Sequence, residues 1–166
     1  MKPLLRQATV VDAPAISALV QAGFNEFVAA DWEPRAQSVF MAESSPERFA
    51  TLIPAAAFAA VAEVEGQIAG VILLEQPALL SFLFVQASMH KRGIARALWE
   101  PARAHIEAVY PAVKTIELNS SPCAVAAYRA MGFYPISEPF RRGGCLATRM
   151  ACWLPGKALR ERENAA

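Results

Sequence analysis

The stretch that decides the fold is SFLFVQASMHKRGIARALWEPARAHIEAV, residues 81–109, in which a strand, a turn and a helix follow one another without a gap. Residues 81–85 are apolar and aromatic, as in a buried strand, and an apolar pattern of helical period begins at Ile94. The turn before this helix contains Gly93. The first N–H groups of a helix have no backbone partner, and the helix dipole adds partial positive charge there. The stretch therefore predicts an anion site of the kind that binds phosphate groups.

The spacing within this turn resembles motif A of the GNAT superfamily of acyl-CoA-dependent N-acyltransferases, which is written Gln/Arg-x-x-Gly-x-Gly/Ala. Gly93 and Ala95 match the motif, and His90 stands at the Gln/Arg position, where we expect it to contribute a backbone amide at most. The turn has neither the Gly-Lys-Ser/Thr of a P-loop nor the Gly-x-Gly-x-x-Gly of a dinucleotide fold. The resemblance implies that the backbone of Phe84 and Val85 pairs with pantetheine like an added strand. It also implies that the pyrophosphate of coenzyme A is held by the amides of Lys91, Arg92, Gly93, Ile94, Ala95 and Arg96.

Composition indicates a globular protein whose partner is a small molecule. We expect residues 1–166 to form a single domain, with 155–166 as a charged tail that could fray, because the chain is 55% hydrophobic and long enough for a full core. A formal net charge of +1 argues against a nucleic-acid-binding surface. The three cysteines have no CxxC spacing, so we expect free thiols and a cytoplasmic protein. No apolar run predicts a membrane span, and neither histidine predicts a metal site.

The front half of the chain predicts a strand, three helices and an antiparallel meander. We expect Asp12 to cap the first helix and Ser45 to cap the third. Apolar residues of the first helix fall at helical spacing and bring aromatic groups to its far end. The predicted elements are a strand at 4–8, helices after residue 12, over 35–41 and from residue 46, and strands on both sides of a turn at 65–67 and over 78–86.

The back half continues the alternation of helix and strand. Pro101 removes one backbone hydrogen bond from the helix after Gly93, so we expect a kink there. After it, the patterns predict a strand over 115–118, a turn over 119–122, a helix over 123–131, and strands over 133–137 and 145–153.

A second motif lies in LNSSPCAVAAYRAMGF, residues 118–133. This segment resembles motif B of GNAT proteins, in which a strand ends at Asn, a helix carries a Tyr, and Gly-Phe begins the next strand. Here these residues are Asn119, Tyr128 and Gly132-Phe133. The resemblance implies that Tyr128 is the general acid that protonates the departing thiolate, and that Asn119 contacts the pantetheine arm. Without this resemblance, Tyr128 would be interpreted as a core tyrosine and Asn119 as a turn residue before the helix.

Together the two motifs imply an α/β (α+β) GNAT fold, with a central mixed, mostly antiparallel twisted sheet flanked by helices. The implied activity is transfer of the acetyl group of acetyl-CoA to a primary amine by direct attack. The acceptor would be a small molecule or a peptide, with no metal involved, and the protein a monomer or homodimer. The alternative is a module of the same fold that holds acyl-CoA as a sensor or scaffold without turnover.

The general base and the acceptor pocket are less clear from the sequence. GNAT enzymes often place a carboxylate on the fourth strand, but Ser81 is the one polar residue in 79–85. A chain of water molecules or a carboxylate from elsewhere could take this role. The candidate carboxylates are Glu75 at the end of the preceding strand and Glu26, Asp31 and Glu33 in the front segment. The segment between the first two helices concentrates aromatic residues beside acidic ones and predicts a pocket for a cationic amine on an apolar body. Its candidate residues are Phe24, Phe27, Trp32 and Phe40, with Glu26, Asp31 or Glu33 at the rim.

Overall fold

A computed structural model describes residues 2–155 as a mixed sheet with helices on both faces. The helices are α1 (Ala13–Phe27), α2 (Pro34–Glu43), α3 (Pro46–Ala55), α4 (Ile94–Val109) and α5 (Val125–Ala130). The strands are β1 (Leu4–Gln7), β2 (Phe58–Val64), β3 (Gln67–Gln76), β4 (Leu79–Val85), β5 (Thr115–Ser120), β6 (Tyr134–Pro135), β7 (Phe140–Arg142) and β8 (Cys145–Trp153).

The strand order is β1-β2-β3-β4-β5-β8-β6, and β7 pairs with β8 beside this path. Every pairing is antiparallel except that of β4 with β5, which is parallel. The predicted meander of β2, β3 and β4 is confirmed, and so is the fold class.

Two hydrophobic cores lie on opposite faces of the sheet because side chains alternate along each strand. In β2, Ala59 and Val61 pack with α1 and α3, whereas Ala60 and Ala62 pack with α4. Trp99 of α4 is fully buried in the second core, together with residues of β5 and β8. No helix among the described residues has the length and apolar character needed to cross a membrane.

The beginning of α4 lies directly on β3 because Gly70 has no side chain there. A Cβ atom at Gly70 would come within 3.1 Å of Ile94 Cγ2 and 3.1 Å of Leu98 Cδ1. Gly70 is also the register partner of Val85, the last residue of β4. The close packing therefore fixes the turn before α4 relative to the end of β4.

Replacing Gly70 by valine is expected to destabilise the fold, because its side chain would have to displace both residues of α4. Overpacking of this kind costs about 1–3 kcal/mol. Urea unfolding should show a lower midpoint for Gly70→Val and a smaller decrease for Gly70→Ala. A valine variant with the wild-type midpoint would show that α4 is not held by this contact.

Asp12 stands at the N-cap position of α1, as predicted, but its side chain makes no capping hydrogen bond to that helix. Its carboxylate accepts a hydrogen bond from the Thr9 N–H at 2.8 Å and bonds from both Arg6 Nη atoms at 2.8 Å, and α1 has no side-chain cap. Arg6 also pairs with Glu63 of β2 at 2.6 Å. The bond to Arg6 is the main cause that lowers the pKa of Asp12 to about 2. Ser45, by contrast, caps α3 as predicted and accepts a bond from the Arg48 N–H at 3.2 Å.

Several strands and helices in the back half begin or end at residues other than the predicted ones. Asn119 and Ser120 continue β5 instead of forming a turn, because they pair with Arg149 and Thr148 of β8. The helical part of the next segment is consequently shorter, with a 3₁₀ turn at Pro122–Ala124 before α5. The strand predicted over 133–137 shrinks to β6, and β7 was not predicted. Helix α4 continues through Pro101, where a kink stays a prediction. The predicted frayed tail lies, apart from Pro155, outside the described residues.

Candidate active site

Strands β4 and β5 form a pair near their beginnings and then separate. The register pairs Leu79 with Glu117, and the Glu117 N–H donates to the Ala78 carbonyl at 2.8 Å. Within residues 2–155 no further pair joins the two strands. The remainder of β4 therefore has one edge that faces a gap.

The direction of the backbone groups of β4 follows from its pairing with β3. The Gln86 N–H donates to the Ala69 carbonyl at 2.8 Å, so Gln86 belongs to a hydrogen-bonded pair of this ladder. Hydrogen-bonded and non-bonded pairs alternate along an antiparallel ladder, so the next pair, Val85 with Gly70, is a non-bonded one. Val85 and Leu83 therefore direct their N–H and C=O groups away from β3 and into the gap. Phe84 directs its backbone toward β3, so this register favours Leu83, and not Phe84, as the residue beside Val85 whose backbone faces the gap.

The turn before α4 has the backbone geometry of an anion site. Gly93 stands at the N-cap of α4 with φ of 79°, and Lys91 also has a positive φ, 61°. A positive φ is uncommon outside glycine, and a turn in which left-handed residues alternate with others directs successive N–H groups into one concave site. Helix α4 has 16 residues, and Lys91, Arg92 and Arg96 are exposed around its first turn. The arrangement suits a pyrophosphate group.

A cleft of about 640 Å³ extends from this turn to α5 and is called the turn-side cleft below. Of the residues that the sequence predicts for coenzyme A, this cleft is lined by Val85, Lys91, Gly93, Ile94, Ala95 and Arg96. The first turns of α4 and the end of α5 are joined by two hydrogen bonds. The Arg96 guanidinium donates to the Ala130 carbonyl, and Trp99 Nε1 donates to the Met131 carbonyl at 3.2 Å.

A second cavity, of about 460 Å³, lies between the front helices and the gap and is called the aromatic cavity below. Its walls include the rings of Phe24, Phe27, Trp32, Phe40 and Phe84. Asn119 also lines this cavity and not the turn-side cleft, although the sequence analysis assigns it to pantetheine.

The aromatic rings form one connected wall. Phe24 stacks on Phe40 with centroids 4.0 Å apart, and Trp32 meets both rings edge to face at 5.2 and 5.8 Å. The ring of Phe84 packs on α1 at Gly23, where a Cβ atom would come within 2.9 Å of it. All four aromatic residues predicted for the acceptor pocket line this cavity, and three of them, Phe24, Trp32 and Phe40, are in mutual ring contact.

None of the three carboxylates predicted at the rim of this pocket is among the residues that line the aromatic cavity. Glu26 lines a separate depression that also contains Arg6. Glu33 packs on the turn between β7 and β8, where its Oε2 atom is 3.2 Å from the Cβ position of Gly144. Asp31 accepts a bond from Arg141 through its backbone carbonyl at 3.1 Å. Neither the turn-side cleft nor the aromatic cavity has an Asp or Glu among its lining residues, and Glu75 lines neither.

Tyr128 lies on the border between the two spaces and lines both. Its ring meets Phe133 edge to face at 5.6 Å. Burial, with a smaller effect of the nearby Cys123, raises the pKa of Tyr128 well above its usual value of about 10. The hydroxyl is therefore a neutral proton donor throughout the ordinary pH range.

His90 and Cys123 also border both spaces, and the sequence analysis gave no role to either side chain. His90 Nε2 is 2.8 Å from the carbonyl oxygen of Val85, and its ring lies 5.0 Å from that of Phe27. Because a carbonyl only accepts hydrogen bonds, Nε2 carries the hydrogen. The imidazole is thus hydrogen-bonded to the carbonyl of Val85, a backbone group that otherwise faces the gap. Cys123 is exposed, and its Sγ donates to the Phe27 carbonyl at 3.3 Å.

Among residues 2–155, no three His, Cys, Asp or Glu side chains are grouped so that they could hold a metal ion.

Comparison with solved structures shows the same fold in several acetyltransferases. A GCN5-related N-acetyltransferase from Rhodopseudomonas palustris is 19% identical with a TM-score of 0.78, over 93% of this chain and 97% of that chain. PaiA N-acetyltransferase from Thermoplasma acidophilum, solved in complex with coenzyme A, is 14% identical with a TM-score of 0.76, over 92% and 99% of the two chains. An aminoglycoside 6'-acetyltransferase type Ii is 18% identical with a TM-score of 0.67, over 93% and 99%.

Sequence comparison assigns the family. None of the curated proteins matches the chain. The family model described as an acetyltransferase (GNAT) domain matches residues 28–154, which include the gap, the turn before α4 and Tyr128. The chain therefore belongs to the GNAT acetyltransferases, enzymes that transfer an acetyl group from acetyl-CoA.

Proposed function

We propose that the protein acetylates a primary amine by direct attack on acetyl-CoA, with no covalent enzyme intermediate. The pyrophosphate of the co-substrate binds at the turn before α4, and its pantetheine arm follows the open edge of β4 beside Leu83 and Val85. The acceptor amine enters from the aromatic cavity. The observation that carries this proposal is the position of Tyr128, which borders both the turn-side cleft and the aromatic cavity.

The reaction follows from these positions. The amine nitrogen attacks the thioester carbonyl carbon, a C–N bond forms, and the C–S bond breaks. Tyr128 donates its proton to the departing thiolate, and the proton released from nitrogen passes through water back to the bulk or to the tyrosinate. A tyrosine hydroxyl is protonated at neutral pH at its ordinary pKa of about 10, and burial raises this pKa, so the proton is in place before each turnover. The chain contributes mainly positioning of the two reactants.

The open edge of β4 supplies a donor for the charge that develops on the thioester oxygen. The N–H groups of Leu83 and Val85 point into the gap, as their pairing with β3 requires. A backbone N–H fixed by a sheet needs no reorganisation when the oxyanion forms. Val85 is the donor that we propose for this role.

A module that binds acyl-CoA without turnover is the second candidate, and one observation favours it. Neither the turn-side cleft nor the aromatic cavity is lined by an Asp or Glu that could take a proton from the amine. Such a protein would hold acetyl-CoA at the same turn and leave it unreacted.

Release of free thiol from acetyl-CoA in the presence of a panel of amines separates the two candidates. The proposed enzyme should release thiol in proportion to the acetylated amine found by mass spectrometry. Binding of acetyl-CoA with no thiol release for any amine would favour the sensor.

Replacing His90 by alanine is expected to strengthen acetyl-CoA binding about fivefold. The imidazole bonds to the Val85 carbonyl, which the pantetheine arm would otherwise use, and a hydrogen bond of this kind contributes roughly 1 kcal/mol. Calorimetric titration measures the dissociation constant. His105→Ala, on the later part of α4, is the control and should leave it unchanged. Weaker binding by His90→Ala would mean that the imidazole holds the co-substrate instead of competing with it.

A further inference from the structure

The residues that line the aromatic cavity favour some acceptor amines over others. This inference rests on the proposed function. Five aromatic rings form its walls, and His90 is the one basic side chain among its lining residues. No Asp, Glu, Lys or Arg of the described residues lines it. Tyr128 stays neutral because its pKa is raised. The cavity is therefore largely aromatic and has no carboxylate, with Ser81, Asn119 and Ser121 among its polar lining residues.

Such a space disfavours ammonium groups. An ionised amine that leaves water needs a carboxylate or another strong acceptor to replace its hydration, and aromatic faces replace only part of it. An alkylamine with a pKa of about 10 is neutral in about one molecule per thousand at pH 7. A polyamine or an aminoglycoside would have to keep its further ammonium groups in solvent or lose their protons on entering. An amine on an apolar body, with no second charge, has the smallest penalty.

Two polar atoms without partners support the interpretation that a ligand completes this cavity. Trp32 Nε1 and Ser81 Oγ are buried and have no hydrogen-bond partner in the described structure, and both residues line the cavity. Buried polar groups are nearly always paired in native proteins. A hydroxyl, ether or carbonyl oxygen on the acceptor, or a water that it retains, would satisfy them.

The size of the cavity agrees with a small aromatic molecule. An apolar cavity of about 150 Å³ holds one benzene molecule, so about 460 Å³ accommodates a one-ring or two-ring amine. We propose that the natural acceptor is a primary aromatic monoamine that carries no other charged group. Polycationic amines are excluded by the lack of a carboxylate, which replaces the expectation of an acidic pocket for a cationic amine.

The test compares 4-methoxyaniline with spermidine as acceptors, each at pH 7 with saturating acetyl-CoA. We expect kcat/KM to be at least tenfold higher for 4-methoxyaniline. Equal or better use of spermidine would overturn the proposal while leaving the acetyltransferase activity intact. If neither amine is acetylated, calorimetric binding of the two amines decides. Binding of 4-methoxyaniline alone would support the proposed selectivity even though the proposed reaction had failed, and binding of spermidine would overturn it.

Asn119→Asp sharpens the comparison because it adds one negative charge at the cavity with almost no change in shape. Asn119 is exposed and lines the cavity. We expect the ratio of kcat/KM for spermidine to that for 4-methoxyaniline to rise about tenfold. Asn25→Asp makes the same chemical change on an exposed residue of α1 outside the cavity, and should leave the ratio unchanged. If this ratio of kcat/KM values rises equally in both variants, or in neither, the charge of the cavity does not decide which amine is used.

Discussion

Replacing Tyr128 by phenylalanine is expected to lower kcat about a hundredfold and to leave the affinity for acetyl-CoA nearly unchanged. A positioned general acid contributes about 10²–10⁴ in rate, and loss of an interaction made only in the transition state lowers kcat and kcat/KM equally. Tyr128 borders both the turn-side cleft and the aromatic cavity, and its raised pKa keeps the proton in place. The phenylalanine ring retains the edge-to-face contact with Phe133.

The measurement is a single-turnover rate under conditions in which the chemical step is limiting. Tyr134→Phe is the matched control, because Tyr134 is exposed on β6 and should show the wild-type rate. Since the pKa of Tyr128 is raised, no alkaline loss of activity from this residue is expected below about pH 10. A Tyr128→Phe variant with the wild-type single-turnover rate would remove Tyr128 from the role of acid.

Replacing Gly93 by valine is expected to weaken acetyl-CoA binding at least tenfold. Gly93 has φ of 79°, a conformation that costs a residue with a Cβ atom about 1–2 kcal/mol, and valine is among the least tolerant. Relief of this strain moves the N–H groups that we propose for the pyrophosphate. The added side chain also obstructs the approach of the phosphates to the backbone.

Gly66→Val is a close control for this substitution. Gly66 lies in the turn between β2 and β3 with φ of 76°, and, as at Gly93, no atom lies within 4 Å of its Cβ position. Both variants should lose similar stability in urea unfolding, whereas Gly93→Val alone should lose affinity in calorimetric titration. Unchanged affinity in a folded Gly93→Val protein would place the pyrophosphate elsewhere.

The turn before α4 and the aromatic residues of the cavity could be predicted from the sequence, because both depend on residues close together along the chain. Residues 81–109 predict a strand, a glycine-containing turn and a helix, and the aromatic residues expected to line one pocket all lie within residues 24–40. The left-handed conformation of Gly93 was not predicted. The order of β2, β3 and β4 was predictable for the same reason, since short turns leave few alternatives.

The contacts that the sequence analysis missed depend on residues brought together by the sheet. Asp12 pairs with Arg6, which also binds Glu63, 57 residues away, so the predicted helix cap gave way to an ion pair. Glu33 follows Trp32 directly, yet it packs on the turn near Gly144 while Trp32 lines the cavity. The bond from His90 to Val85 depends on which way the backbone of β4 points, and only the pairing with β3 decides this.

A crystal structure of the protein with bound coenzyme A tests most directly whether the gap between β4 and β5 holds the reacting thioester. We expect the pyrophosphate at residues 91–96, the pantetheine arm bonded to the backbone of Val85 in place of His90, and the sulfur within hydrogen-bonding reach of the Tyr128 hydroxyl. A pantetheine arm that lies outside the gap, with the sulfur away from Tyr128, would contradict the proposed reaction.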